Sequence, residues 1–153
     1  MASRGLQRDR RFQIREVDAS EPDILDTLAD LHARTFLDQA PLPDFETGHW
    51  WLATEHGRAA GFAGLVPSSI GRGIGYLSRV GVVQEACGNG LQRRLMRVIE
   101  RHARRSGYYC LVSDTTSNIV SANNFIRCGY ALFRPELPWA WESSLYWRKM
   151  LTP

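Results

Sequence analysis

Lysine is nearly absent from this chain. Lys149 stands alone among 19 basic side chains, and the rest are arginines. A GC-rich coding sequence produces that bias. It also supplies side chains that fork onto phosphate or carboxylate where lysine cannot. Cysteine is scarce: Cys87, Cys110 and Cys128 form an odd set with no CxxC pair. Neither a disulfide framework nor a zinc site is expected, no metal is called for, and the count fits a reducing compartment. Long apolar runs are missing as well. The longest, about Ala59 to Val66, falls far short of the roughly 18 residues needed to cross a bilayer, so no membrane partner is expected. Residues 1–11 are polar and Arg-rich with no apolar stretch. No secretory signal is visible there, and a cytoplasmic protein is expected. A net charge of +3 is too small to imply nucleic-acid binding, and no RRM, KH or zinc-finger pattern occurs. Repeats and low-complexity blocks are absent.

What is present is an ordinary globular composition, 44% hydrophobic and 23% charged over 153 residues. That length suits one domain of about 100–200 residues. We expect a flexible basic arm over residues 1–11 and a single domain over 12–153. Phe12 to Val17 reads as a first strand. Ser20-Glu-Pro-Asp23 opens a helix, with Ser20 placed to cap it, and Ile24, Leu28, Leu31 and Thr35/Phe36 form its apolar stripe. Residues 37–48 carry Pro41, Pro43 and Gly48 and read as a loop. Trp50 to Glu55 and Arg58 to Val66 are strands joined by a hairpin at His56-Gly57. Gly71-Arg-Gly-Ile-Gly75 precedes a strand rather than a helix and reads as another turn.

Tyr76 to Val83 is a central strand. Leu91, Leu95, Val98, Ile99 and His102 mark one face of the next helix, which Gly107 follows. Tyr108 to Ser113 is a strand, Asn118 to Cys128 a helix, and Tyr130 to Phe133 and Leu145 to Met150 are late strands. The order β, α, ββ, β, α, β, α, β, β calls for an α/β (α+β) fold, a mixed sheet with helices on its faces.

The most informative stretch is Val80-Gly-Val-Val-Gln-Glu-Ala-Cys-Gly-Asn-Gly-Leu-Gln-Arg-Arg-Leu95. A buried strand runs through Gly88-x-Gly90 straight into an amphipathic helix. Glycines allow close approach of a ligand, and the first-turn N–H groups with the helix dipole form an anion site. A Rossmann fingerprint fails because position 93 is Arg, and no P-loop string occurs.

The stretch resembles motif A of the GNAT superfamily of acyl-CoA-dependent N-acetyltransferases, a strand followed by [QR]-x-x-G-x-[GA]. Here Cys87-Gly88-Asn89-Gly90-Leu91-Gln92 fill the six positions. Gly90 matches, while Cys87 and Gln92 depart. A second segment, Asn118-x-x-Ser121-x-x-Asn124-Phe125-x-Arg127-x-Gly129-Tyr130, is similar to the family's N-x-x-A-x-x-[LF]-Y-x-K-x-G-F. The resemblance spans residues 12–150 and implies a central mixed sheet of about six to seven strands flanked by helices.

The resemblance also implies acetyl-CoA as cofactor and an amine as acceptor. The strand ending near Val82 would splay from the one ending near Ser113. Pantetheine would bond to backbone at Val80, Gly81 and Val82. Pyrophosphate would rest on the amides of Cys87, Gly88, Asn89, Gly90, Leu91 and Gln92, with Arg93 or Arg94 and Asn118 in reach. A deprotonated amine would attack the thioester directly, with no covalent enzyme intermediate. Phe125 occupies the position of the family's tyrosine acid in the same cofactor-binding motif, so the acid has moved or solvent serves. Tyr108, Tyr109 and Tyr130 lie near in sequence.

Asp114 is the leading base. Its string, Val112-Ser-Asp-Thr-Thr-Ser-Asn118, resembles the strand end of some aminoglycoside 6′-N-acetyltransferases. The alternative is that Asp114 caps the following helix. Glu46, His49, Glu55 and Glu85 are weaker candidates. Cys87 has no adjacent base and receives no nucleophilic role. Residues 36–51 and 135–141 are the expected acceptor walls, aromatic and acidic with Asp38, Asp44, Glu46, Glu136 and Glu142, which suits a small cationic amine or a peptide or protein amine. A catalytically impaired acyl-CoA-binding module is the alternative function, and a homodimer is left open.

Overall fold

The computed structural model describes residues 11–36 and 40–151. The expected arm, apart from Arg11, and Asp38 lie outside the described residues. Seven strands and three helices follow the expected order. They are β1 (Phe12–Val17), α1 (Pro22–Phe36), β2 (His49–Glu55), β3 (Arg58–Pro67), β4 (Ile74–Val82), α2 (Leu91–Arg105), β5 (Cys110–Thr115), α3 (Ile119–Arg127), β6 (Ala131–Leu132) and β7 (Leu145–Met150). A short 3-10 turn, Gln84–Ala86, separates β4 from α2. The sheet order is β1-β2-β3-β4-β5-β7-β6. Only β4 and β5 pair in parallel.

Several local expectations have visible causes. His56 and Gly57 both carry positive φ, the conformation of a two-residue type I′ hairpin. β2 and β3 are buried on both faces over most of their length, and each face of the sheet has its own helix. Trp50 and Phe62 stack on the α1 side with Phe45. There Leu28 and Leu31 of α1 are also fully buried. A Cβ on Gly64 would stand 2.2 Å from Trp50 Cζ3, so glycine at that position makes room for the indole. On the other side a Cβ at Gly61 would meet Leu91 and Leu95 of α2.

Some boundaries differ from expectation. The α2 stripe is Leu91, Leu95, Met96, Ile99 and Ala103, with Glu100 also buried. Val98 and His102 sit at its margin. Ser20 does not cap α1. Its N–H and hydroxyl both donate to Asp18 Oδ1, and the helix starts from Glu21, whose carbonyl accepts from Leu25 N–H. β5 begins at Cys110 because Tyr108 is still tied to α2, its N–H bonded to Ala103 O after Gly107 turns at φ +86. β6 is only two residues long, since Tyr130 N–H bonds Phe125 O in the exit from α3. No helix among the described residues is long and apolar enough to cross a membrane.

The single lysine is an internal strut. Lys149 Nζ on β7 donates to Glu100 of α2 at 2.9 Å and to Cys128 O, just beyond α3, at 2.7 Å. Arg104 also pairs with Glu100 at 2.6 Å.

Candidate active site

The parallel ladder between β4 and β5 is three pairs long. It ends at Tyr76↔Val112, yet β4 runs on to Val82 and β5 to Thr115. The cause is a bulge. Against β3, Leu65 faces Leu77 and Gly64 faces Arg79, so Ser78 is an extra residue in β4. A bulge bends its strand and increases its twist. β4 therefore turns away from β5 just past Tyr76. The Ser113 hydroxyl of β5 donates to Leu77 O of β4 at 2.8 Å across the start of the gap.

The ladder also decides which backbone groups face that gap. In an antiparallel pair, alternate residues bond to the partner and those between point away. Val83 N–H bonds Ala60 O, so Phe62–Gly81 is the next bonded pair. Val80 and Val82, opposite Ala63 and Gly61, aim their N–H and C=O groups to the side that β5 has left. Gly81 is there for packing. A Cβ on it would meet Thr35 Oγ1 at 2.5 Å.

Beyond Val82 the chain reaches the loop before α2. Gly88 and Gly90 hold φ of +82 and +74, and no atom lies within 4 Å of where a Cβ on Gly88 would be. Gly90 caps the helix with no side-chain bond, and the first turn carries no acidic residue. The first intrahelical bond is Arg94 N–H to Gly90 O. The amides of Leu91, Gln92 and Arg93 thus have no helical acceptor, and the positive helix end lies behind them. This open, electropositive cradle fits a pyrophosphate.

The other expected residues divide. The Cys87 amide is not available, because it donates to Gln84 O. Its thiol, which is exposed, contacts Val83 O at 3.4 Å. Asn89 spends its side chain on the loop, donating to Ala86 O and Cys87 O and accepting from Arg11. The Leu91 side chain is core. Gln92 donates to Ser121 Oγ at 3.1 Å, which ties the first turns of α2 and α3 together. Arg93 places its guanidinium 3.6 Å from the Cβ position of Gly90. Asn118 caps α3, its side chain accepting from Ser121 N–H. Phe125 is 3% exposed and stacks on Trp147 at 5.7 Å, inside the core rather than on a ligand surface.

Asp114 does not cap the next helix; Asn118 holds that place. It lies inside β5, not after it, and is half-buried at the gap. Oδ2 accepts from Tyr76 O–H at 2.5 Å and from Trp139 Nε1–H at 2.9 Å. No hydrogen bond reaches Oδ1 from the described residues. Burial, and then the Asp114 charge, push the Tyr76 hydroxyl far above its ordinary pKa, so it stays protonated and donates. Trp139 is itself held edge-on to Tyr146 at 4.7 Å. The Tyr146 hydroxyl accepts from Ala140 N–H. Sequence reasoning had no signal for Tyr76 or Trp139 as partners of Asp114.

Three of the four weaker base candidates are engaged elsewhere. Glu55 pairs with Arg11, Glu85 with Arg34, and His49 with Glu16. Tyr130 is buried in the core against Phe125, and burial followed by the Glu100 charge raises its pKa. In the first expected wall, Asp44 braces its own turn through Glu46 N–H and Thr47 Oγ1. Trp50 and Trp51 are core.

The model of the acetyltransferase (GNAT) family matches residues 13–130. The chain belongs to the GNAT acetyltransferase family. No curated protein sequence matches it. Among solved structures, the GNAT chain resembles aminoglycoside 6′-acetyltransferase type Ii with TM-score 0.75 and 21% identity, over 92% of this chain and 98% of that one. It resembles the IAA acetyltransferase from Bacillus cereus ATCC 14579 with TM-score 0.72 and 16% identity, over 92% and 99%. The ribosomal-protein-S18-alanine N-acetyltransferase from Escherichia coli matches with TM-score 0.69 and 15% identity, over 93% and 95%. At these identities the likeness is one of fold, and this GNAT protein shares the mixed sheet of all three.

Proposed function

We propose that this single-domain GNAT protein is an N-acetyltransferase that moves an acetyl group from acetyl-CoA to a primary amine by direct attack on the thioester. The observation that carries this reading is the gap between β4 and β5, with an open cradle of amides at its end. Acetyl-CoA supplies the activated acyl carbon and a thiolate leaving group. The backbone of Val80 and Val82 orients the pantetheine arm as a neighbouring strand would. The amides from Gly88 to Arg93 hold the pyrophosphate, with the Arg93 guanidinium beside them and Asn118 Nδ2 as a further donor.

Asp114 is the base. Tyr76 and Trp139 fix one of its oxygens, which leaves Oδ1 to take the ammonium proton, directly or through water. The Tyr76 hydroxyl, kept protonated, is the donor nearest to that carboxylate. The acceptor is a cationic amine, small or at a peptide or protein end. Supporting this, the carboxylate lies against two aromatic side chains, Tyr76 and Trp139, and aromatic rings beside a carboxylate are the chemistry that attracts ammonium groups. The alternative, a GNAT module that binds acyl-CoA without turnover, draws on Phe125 standing where the family has tyrosine.

The test has two parts. Acetyl-CoA should raise the Tm, since a ligand of the native state stabilises it by mass action. Gly90→Glu, which puts bulk and negative charge into the cradle, should abolish the rise while circular dichroism shows a folded chain. Thioester consumption across a panel of amines then separates enzyme from binding module. A full shift in Gly90→Glu would move the donor site elsewhere.

A further inference from the structure

One cluster of side chains is not used by the proposed transfer. Glu16 on β1, His49 at the start of β2 and His102 near the end of α2 converge. One ligating atom from each lies within 4.8 Å of the other two. His49 Nδ1 is 2.7 Å from Glu16 Oε1. The two imidazole centroids are 4.3 Å apart. Position 102 is eleven residues along α2 from Leu91, about 16 Å by helical rise, so the cluster is remote from the cradle.

His102 gives the second observation. Its Nε2 is buried and has no hydrogen-bond partner, the only such side-chain atom among the described residues. A buried polar atom without a partner is destabilising and calls for an explanation. The ring is also fixed in place, edge-on to Trp51 at 5.1 Å, and Trp51 is itself core. Metal-binding imidazoles need a free ring nitrogen on a ring held by its surroundings.

We propose that Glu16, His49 and His102 form a binding site for a divalent transition metal ion of the zinc type. Two imidazole nitrogens and one carboxylate suit zinc, cobalt or nickel, whereas magnesium and calcium take oxygen ligands. Bonds of about 2.0–2.2 Å in a tetrahedron put ligand atoms about 3.3 Å apart. The cluster reaches that spacing by rotation of Glu16 and His49, whose side chains are 46% and 49% exposed. His102 is the fixed ligand and the other two close on it. Three protein ligands leave a fourth position, and the adjoining cavity of about 710 Å³, lined by Glu16, His49, Asp18 and Glu46, admits water there. The bound ion fastens the β1–β2 edge to α2. No CxxC or His-x-x-His spacing marks this set, because its members lie far apart in sequence on three elements.

The experiment uses the full chain stripped with a chelator. Zinc chloride is titrated by calorimetry and in thermal melts, and cobalt chloride is followed by visible absorption. The expected result is one zinc per chain, a raised Tm and a tetrahedral cobalt spectrum, with no response to magnesium. His49→Ala and His102→Ala should each weaken zinc binding at least about tenfold. Loss of mere outer-shell partners already costs about 10–100-fold. Both variants should remain folded, and Glu16→Gln, which keeps the shape, should weaken binding too. Cys87→Ser should leave the zinc isotherm unchanged. Zinc heats that persist in His49→Ala or vanish in Cys87→Ser would overturn the site, as would an unchanged Tm in the folded parent.

Discussion

Asp114 is defined by the difference between its two oxygens. Oδ2 accepts from both Tyr76 and Trp139, while Oδ1 accepts from none of the described residues. Asp114→Asn keeps a carbonyl oxygen for both donors and removes only the basic one. The acetyl-transfer rate should therefore fall by about 10²–10⁴-fold, the weight of a positioned acid–base group. Acetyl-CoA affinity by calorimetry should stay near that of the parent, because backbone holds the donor. Near-normal turnover would assign Asp114 a purely structural part. His32 makes a different residue-scale case. It is 5% exposed, and Arg79 Nε–H donates to its Nε2. Burial, then the Arg79 charge, lowers its pKa below 6.5. The unfolded chain therefore binds the proton more readily, so stability is present above pH 6.5 and is lost as pH falls below it. Urea melts between about pH 7.5 and 5.5 should show this slope, and His32→Gln, which keeps an acceptor for Arg79, should reduce it to the share of His102, whose pKa burial also lowers.

At the scale of elements, the tightest packing lies between β2 and β3. Gly64→Ala drives a methyl group into the Trp50 indole, 2.2 Å from Cζ3, and no rotamer of a buried, stacked indole escapes it. Denaturant unfolding should show a loss of at least about 1–3 kcal/mol, the cost of overpacking a core. The elements were largely legible in the sequence. The Gly88–Gly90 loop, the break after α3 and the His56-Gly57 hairpin are local signals, written in adjacent residues. What was not legible is non-local. The Ser78 bulge depends on register with β3. Burial of His32 depends on Arg79 across the sheet. The Tyr76–Asp114–Trp139 group joins residues 38 and 25 positions apart, brought together by a parallel pairing and a returning loop. β5 read two residues early because the exit of α2 is as apolar as a strand. Phe125 was assigned to the cofactor from its motif position, where the structure uses the ring as core.

The whole molecule is two antiparallel plates, β1 to β4 and β5 to β6, with β7 between the last two. The three-pair ladder, the Ser113–Leu77 bond and the Tyr76–Asp114 bond join them edge to edge. The Lys149–Glu100–Arg104 strut fastens the second plate to α2 from behind. The seam between the plates carries three paired positions. Its rigidity is set by how many rungs cross it, and the fold itself supplies few. A donor molecule lying along Val80 and Val82 would add the missing rungs, so occupancy would register as stiffness. Amide exchange at Val80 and Val82 should slow on addition of acetyl-CoA, while the β1–β2 ladder at the far edge keeps its native rate. A uniform slowing of every amide would mean that the plates never moved apart. Under the proposed function, the few rungs between β4 and β5 would make substrate the mortar of this sheet, and product release the moment at which it loosens.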